Sequence, residues 1–77
     1  QKIDYVFHLA CLGVRHSIHS PFENHRVNAE GTLNILEASR KVNIRHFFYI
    51  STSEIYGKTK QFPITEQATT APLTVYG

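Results

Sequence analysis

The 77-residue chain has one cysteine, no methionine and no tryptophan, and only three prolines. Because the single cysteine, Cys11, has no partner for an internal disulfide, a small disulfide-stapled secreted scaffold is excluded. No apolar run approaches the roughly 20 residues needed to cross a bilayer, and no signal-peptide pattern is present. We therefore expect a cytoplasmic protein without a membrane partner.

Charge is also scarce, at 18% of residues, and the formal net charge is +2. The lysines and arginines are scattered, with Arg40 and Lys41 as the adjacent pair, so the sequence predicts no nucleic-acid partner. Five histidines fall on different predicted elements without the spacing of a zinc motif, so no metal site is predicted. The hydrophobic content of 42% is typical of a globular protein.

The length allows one small domain at most. A domain of this size buries only about 60% of the surface that its unfolded chain exposes, so it is marginal alone. The chain begins at Gln1, reaches an apolar run by Tyr5 and stops abruptly at Gly77. We therefore expect an internal piece of a longer protein.

Two apolar runs and one amphipathic segment predict the element order. Residues 3–10 and 44–51 are short runs rich in β-branched and aromatic side chains, typical of strands buried on both faces. Residues 20–43 show helical periodicity, whereas 11–20 and 58–77 are irregular or polar and are predicted to be loops. Strand, helix, strand is a βαβ crossover, so the strands are predicted to be parallel.

The predicted helix has start and stop signals. Ser20 and Glu23 form a capping-box pattern around Pro21 at the first helical position, and Asn43 is a plausible stop. Gly31 costs about 1 kcal/mol relative to alanine inside a helix. We interpret Gly31 as a point of close helix–strand packing, with space for a ligand as the alternative.

Polar residues follow both strands. Open α/β sheets bind ligands beyond the carboxyl ends of their strands, which here are residues 10–13 and 51–54. The second of these is Ser-Thr-Ser-Glu, a cluster of three hydroxyls and a carboxylate. The sequence therefore predicts a site at this edge.

The ordered motifs "VFHLA" (6–10), "VNAEGTLNILEA" (27–38), "FFYISTSEIYG" (47–57), "ITE" (64–66) and "VYG" (75–77) resemble those of the extended short-chain dehydrogenase/reductases, the nucleotide-sugar epimerases, dehydratases and decarboxylases. The resemblance implies a βαβ segment of a Rossmann-type doubly wound parallel sheet. Residues 1–77 would be a partial NAD(P)-binding domain, running to the catalytic tyrosine. The family's glycine-rich phosphate turn, its C-terminal substrate part and the lysine four residues after the tyrosine are absent, so this piece is expected to be inactive.

The resemblance implies that Tyr76 is the catalytic acid/base and that Thr52 hydrogen-bonds the sugar oxygen being oxidised. A phenol ordinarily holds its proton at neutral pH and needs a nearby cation to act as a base. The family supplies that cation from the missing lysine and the nicotinamide. The alternatives are a packing role for Tyr76 and a backbone hydrogen bond at a strand end for Thr52.

Glu54 matches the base that dehydratases use to take a proton beside the ketone. Ser53 departs from the aspartate of glucose-type dehydratases, which favours a mannose-type dehydratase or a decarboxylase. Thr52, Ser53 and Glu54 are the expected substrate contacts. The alternative for Glu54 is an ion pair with Lys58 or Arg15.

The cofactor contacts that the resemblance implies lie at both strand ends. Leu9, Ala10 and Cys11 correspond to the turn beside the cofactor, Asn28 to an asparagine that braces the strand ends, and Ser51 to a position near the nicotinamide ribose; Tyr76 completes the set. Arg15 is a candidate contact to the sugar or to a carboxylate on it, and the alternative is an exposed loop residue.

The resulting hypothesis is NAD-dependent modification of a nucleotide sugar through a 4-keto intermediate, with NADP open because the segment that selects it is absent. The intact protein is expected to be a homodimer. A non-catalytic dinucleotide-binding sensor or scaffold on the same fold is the first alternative. A superfamily member that reduces a ketone or aldehyde is the second.

Overall fold

The computed structural model describes residues 2–77. Two short strands and a long helical segment form a thin two-layer unit, 47 × 30 × 13 Å in extent. The elements, in order, are β1 (Tyr5–His8), α1 (Val14–His19), α2 (Pro21–His25), a π-helical segment (Arg26–Glu30), α3 (Gly31–Lys41), β2 (His46–Tyr49) and a 3₁₀ helix (Ser53–Tyr56).

β1 and β2 are hydrogen-bonded neighbours in a parallel sheet. Tyr5 pairs with His46 and His8 pairs with Tyr49. The connection between them is helical, so the predicted βαβ unit is confirmed, although each strand has four residues rather than the eight expected. The parallel pairing brings the ends of both strands to the same edge of the sheet.

The prediction that both strands are buried on both faces is wrong for this chain. One face packs on the helices, where Val6 lines a cavity with Ile35 of α3. On the other face Phe7 is 64% exposed and Phe48 43% exposed, and their rings stack on each other at 4.5 Å between centroids. The reason is that the described residues supply helices for only one of the two faces.

The segment 11–20, predicted to be a loop, contains α1. Gly13 is its N-cap, with extended backbone (φ −74°, ψ 178°). The Ser17 hydroxyl donates to the Val14 carbonyl at 2.6 Å, and Ser17 is almost fully buried. A buried serine turned onto the backbone of its own turn gives no hydrophobic periodicity, so the sequence pattern missed this helix.

The long helix begins at Pro21 and ends at Lys41, close to the predicted 20–43, but the Arg26–Glu30 segment is π-helical. Asn43 follows its end with φ 55°, the left-handed conformation that favours asparagine after a helix, as predicted. In the last turn of α3 the carboxylate of Glu37 accepts hydrogen bonds from the Arg40 guanidinium, and this raises the pKa of Arg40.

Two predicted details of this helix are wrong. Ser20 makes no side-chain capping bond. The other half of the capping box is also absent, because the Ser20 amide donates to the His16 carbonyl at 2.8 Å and the Glu23 carboxylate bonds to the His16 ring at 2.7 Å. Gly31 is not a point of close packing in residues 2–77. A β-carbon there would meet only the Arg26 carbonyl oxygen, at 4.0 Å.

Among the described residues no hydrophobic residue is buried. The buried residues are all polar, namely Ser17, Asn24 and Ser39. The segment after the 3₁₀ helix has no helix or strand within 57–77, as predicted. It nevertheless returns to the sheet edge, which places its last residues beside the strand ends.

Candidate functional site

A small pocket of about 50 Å³ lies where the two strands end. Its walls come from the loop after β1, the helix, the segment after β2 and the end of the described chain. The residues that line it are Ala10, Cys11, Asn28, Thr32, Tyr49, Ile50, Ser51, Thr52 and Tyr76. The pocket thus brings together most of the residues that the sequence predicts for the cofactor, and two of the three predicted for catalysis.

Asn28 holds the loop after β1. Its Oδ1 accepts from the Leu12 amide at 2.8 Å, and its Nδ2 donates to the Leu12 carbonyl at 2.9 Å. This side-chain amide bonds to both backbone groups of Leu12, as a neighbouring backbone would do in regular structure, and so holds the loop in place. The bracing contact is therefore present, while the role of Asn28 toward a cofactor stays a prediction.

Asn24, one helical turn before Asn28, is a contact that the sequence analysis missed. It is 0% exposed, and its Nδ2 donates to the carbonyls of Leu12 and Gly13 at 3.1 and 3.0 Å. The four-residue spacing of the two asparagines places them on one helix face. That spacing is the sequence signal from which the contact of Asn24 could have been predicted.

On the β2 side, Ser51 and Thr52 leave the strand into the pocket. Thr52 is the N-cap of the 3₁₀ helix, and its Oγ1 accepts from the Glu54 amide at 3.2 Å. The alternative expected for Thr52, a backbone hydrogen bond, is thus present. That bond uses the oxygen as an acceptor and leaves the hydroxyl proton free to donate to another group.

Tyr76 reaches the pocket from the far end of the chain. Its Oη lies 4.0 Å from Cys11 Sγ, which is contact distance across the pocket. Ala71 bonds to the Ile55 carbonyl at 2.9 Å, so the returning segment runs directly beside the 3₁₀ helix. Residues 76 and 52, far apart in sequence, therefore line one pocket.

Two glycines permit this approach. Gly57 has φ 60°, and a β-carbon there would lie 2.1 Å from the Ala71 carbonyl oxygen. A β-carbon on Gly77 would lie 2.7 Å from the Glu54 carbonyl oxygen. Both positions exclude larger residues, because the backbones on the two sides are in contact.

Glu54 and Ser53 line a different and larger cavity, of about 560 Å³, which also includes Lys58, Lys60 and Phe62. Glu54 is half-buried. Among residues 2–77, the ion pairs join Arg26 to Glu23 and Arg40 to Glu37, and the His16 ring is hydrogen-bonded to Glu23. The structure therefore shows no pairing of Glu54 with Lys58 or Arg15.

Two predicted contacts lie outside both cavities. Leu9 is 65% exposed and lines neither of them. Arg15 is exposed on α1 and likewise contributes to neither. Neither residue lines a cavity in this chain, so the contact of Leu9 to a cofactor and that of Arg15 to a sugar stay predictions.

Two absences hold within the described part of the chain. No group of three histidine, cysteine, aspartate or glutamate side chains in residues 2–77 is arranged to hold a metal ion. No helix in that range has the length and apolar character that a membrane span requires.

The sequence and structure match known proteins over nearly the whole chain. The family model described as GDP-mannose 4,6 dehydratase matches residues 1–77. A UDP-glucose 4-epimerase of Lactobacillus helveticus is 32% identical over 78 aligned positions, covering 100% of this chain and 24% of the relative.

Two solved structures superpose closely. UDP-glucose 4-epimerase of Stenotrophomonas maltophila, with bound NAD and formylated UDP-arabinopyranose, has a TM-score of 0.91 at 29% identity, covering 96% of this chain and 22% of that one. The protein RMD of Pseudomonas aeruginosa, complexed with NADPH, has a TM-score of 0.86 at 32% identity, covering 95% and 26%.

These matches agree in fold and cover nearly the whole of this chain. The chain belongs to the extended short-chain dehydrogenase/reductases, the family of NAD-dependent nucleotide-sugar epimerases and dehydratases, and its sheet is a segment of their Rossmann fold. It spans about a fifth to a quarter of the length of the curated relatives that it matches, between 20% and 26% of each.

Proposed function

We propose that the chain is part of an enzyme that modifies a nucleotide-linked sugar with a nicotinamide dinucleotide, by epimerisation, dehydration or decarboxylation. The observation that carries the proposal is the pocket in which Ser51, Thr52 and Tyr76 meet at the ends of two parallel strands. The NAD, NADPH and UDP-sugar named in the complexes of its structural relatives support it.

The residues present fit one end of such a cofactor. Ala10 and Cys11 are small side chains on one wall of the pocket, and the exposed Ser51 on the opposite wall offers a hydroxyl. The pocket of about 50 Å³ is well below the roughly 300–1,000 Å³ of a complete ligand site. We therefore assign these residues to the nicotinamide end and the diphosphate to residues outside this chain.

When bound, the dinucleotide would supply the hydride acceptor for oxidation of the sugar carbon. Tyr76 would take the proton of the sugar hydroxyl at its Oη. Thr52 would donate its free hydroxyl proton to the same sugar oxygen, since its own oxygen already accepts from the Glu54 amide. General acid–base groups placed in this way contribute about 10²–10⁴-fold to a rate.

Glu54 separates the possible reactions. Its half-buried carboxylate has no ion-pair partner within residues 2–77, so it is available to remove a proton beside a ketone. That step is required for dehydration and not for simple epimerisation at one carbon. The larger cavity that Glu54 lines gives space for the sugar on that side.

The test uses the full-length polypeptide that carries these residues, with NAD and NADP in separate reactions. It is incubated with a panel of nucleotide sugars, uronic acids included, and the product masses are read after chromatography. Isomers of unchanged mass indicate an epimerase and leave Glu54 a structural role. Loss of water indicates a dehydratase, in which Glu54 would remove the proton beside the ketone. Loss of carbon dioxide indicates a decarboxylase, in which the carboxylate leaves without that proton removal.

The alternative is a dinucleotide-binding sensor or scaffold without catalysis. Tight NADH binding with no turnover of any sugar would favour it and overturn the proposal. Light scattering of the same sample tests the accompanying expectation that the full-length protein is a homodimer.

A further inference from the structure

Asn24 is the one side chain fully removed from solvent among residues 2–77. Burying a carboxamide is costly unless its hydrogen bonds are satisfied. Asn24 meets that condition completely. Its Nδ2 faces the carbonyl oxygens of Leu12 and Gly13 at 3.1 and 3.0 Å and the Nδ1 of His16 at 3.3 Å, and its Oδ1 accepts from Asn28 at 3.0 Å.

The partners of Asn24 converge on one loop. The Leu12 carbonyl accepts from both asparagines, and the Leu12 amide donates to Asn28. We call Asn24 and Asn28 the asparagine clamp. The same loop carries Ala10 and Cys11 into the pocket, and these are the two residues immediately before Leu12.

His16 fixes which way the Asn24 carboxamide faces. The His16 Nε2 lies 2.7 Å from a carboxylate oxygen of Glu23, which has no proton to donate, so Nε2 must carry the hydrogen. The Nδ1 is then free to accept from the Asn24 amide. All three neighbours of Asn24 Nδ2 are therefore acceptors, and an oxygen placed there would be repelled by the two carbonyls.

We propose that Asn24 is a positioning residue for the pocket: through Leu12 and Gly13 it sets where Ala10 and Cys11 lie relative to Tyr76. Its effect on cofactor binding rests on the proposed function, whereas its hold on the loop does not. Cys11 Sγ is 4.0 Å from Tyr76 Oη, so a shift of about 1 Å in the loop would change the wall that faces the phenol, and displacements of that size at an active site cost about 10²-fold.

Asn24→Asp is the test variant, because it changes one NH₂ group to an oxygen at constant shape. The variant keeps the oxygen that accepts from Asn28 and replaces the donor with an anion facing the Leu12 and Gly13 carbonyls. Asn34→Asp is the matched control, since Asn34 is an exposed residue of the same helix and undergoes the same chemical change.

Hydrogen exchange and NADH binding are measured on the full-length polypeptide. Asn24→Asp removes the donor to the Leu12 and Gly13 carbonyls and so loosens the loop that carries the Leu12 amide. We expect exchange of that amide to speed up by about tenfold or more, since each lost buried hydrogen bond costs about that factor, and NADH binding to weaken by about tenfold. The Asn34→Asp variant should leave both unchanged. Unchanged exchange and unchanged NADH affinity in a folded Asn24→Asp protein would overturn the proposal.

A nitrogen NMR measurement of His16 gives a readout that a general loss of stability would not move. In the unaltered protein, Nδ1 should be unprotonated and Nε2 protonated. In Asn24→Asp, the new carboxylate should draw a proton to Nδ1. If Asn24→Asp fails to give the circular dichroism of the unaltered protein, hydrogen exchange in the unaltered protein decides the question, because a Leu12 amide that exchanges as fast as an unprotected amide rejects the clamp.

The two proposals fail in different ways. If the unaltered protein binds neither NADH nor NADPH, the proposed function fails, and the exchange rate of Leu12 still decides the clamp. If NADH binds and Asn24→Asp changes neither readout, the clamp fails while the proposed function stands.

Discussion

Tyr76 depends on two glycines for its place at the pocket, because each allows the returning chain to touch the backbone of the 3₁₀ helix. The sequence motifs identified Tyr76, Thr52 and Ser51, and the pocket contains all three. They did not identify Gly57 and Gly77 as points of close approach. Such contacts join distant parts of the chain, and no local pattern records them.

Replacing Tyr76 with phenylalanine removes only the hydroxyl that lies near Cys11. We expect turnover in the full-length protein to fall by about 10²–10⁴-fold, the usual contribution of a general acid–base group, with NADH binding retained. Tyr5→Phe is the control, since Tyr5 lies half exposed on the open face of the sheet. Full turnover by the Tyr76→Phe variant would remove this tyrosine from the chemistry.

Gly57→Ala places a methyl group where the Ala71 carbonyl oxygen stands, 2.1 Å away, and at a positive φ that disfavours alanine. We expect a loss of about 1–3 kcal/mol in the free energy of unfolding, typical of backbone strain at one residue, measured by urea denaturation of the full-length protein.

Gly13→Ala is the matched control for Gly57→Ala. A β-carbon on Gly13 meets nothing within 4 Å, and its φ of −74° suits any residue. We expect its effect to stay within about 1 kcal/mol, because the reduced freedom of the unfolded chain offsets a poorer N-cap. Equal losses in the two variants would contradict the close approach at Gly57.

At the scale of elements, the sequence predicted β1, β2 and the long helix because each has a hydrophobic period matched to its structure. It missed α1 and the π-helical segment. Both contain polar contacts to the backbone: the Ser17 hydroxyl bonds to the Val14 carbonyl in α1, and the Thr32 hydroxyl bonds at 2.5 Å to the carbonyl of Asn28 in the π-helical segment. Hydrophobic patterns carry no information about such bonds.

Thr32 also joins the helix to β1. Its hydroxyl donates to the Asn28 carbonyl, so its oxygen accepts from His8 Nε2 at 2.9 Å. We expect Thr32→Val, which keeps the shape and removes both bonds, to lower the free energy of unfolding by about 0.5–1.5 kcal/mol, the usual net contribution of a hydrogen bond, because His8 and Thr32 are only half-buried.

Thr70→Val provides the comparison for Thr32→Val in urea denaturation, because Thr70 is exposed in the segment without regular structure. Its change should stay within about 0.5 kcal/mol, as for most surface substitutions. Equal changes in the two variants would show that the bond between helix and strand adds nothing to stability.

For the whole molecule, the open face of the sheet is the dominant feature. Phe7 stacks on Phe48, and Tyr5 lies tilted against Phe48 on the same face. Exposed apolar patches of this kind favour association. We expect the 77-residue chain alone to self-associate with increasing concentration. The double variant Phe7→Ser/Phe48→Ser should reduce that association, as measured by light scattering.

Phe22→Ser is the control for the sheet face. Phe22 is the more exposed side chain, at 88%, but it stands on α2, away from the stacked rings. A single exposed aromatic residue needs no partner, so this variant should associate as strongly as the unaltered chain. If the unaltered 77-residue chain stayed monomeric at all concentrations, the role assigned to the open face would be contradicted.

The bond between Ala71 and Ile55, with Gly57 packed against Ala71, brings together the two ends of the loop 58–70. Doubling the length of a flexible loop costs only about 0.6 kcal/mol in closure entropy. Insertions and deletions in this loop would leave Tyr76 in place, because the bond between Ala71 and Ile55 fixes the chain before it reaches Tyr76. Evolution is thus free to rewrite this loop, and with it the cavity that Glu54 and Lys58 line, while the tyrosine and its pocket stay unchanged.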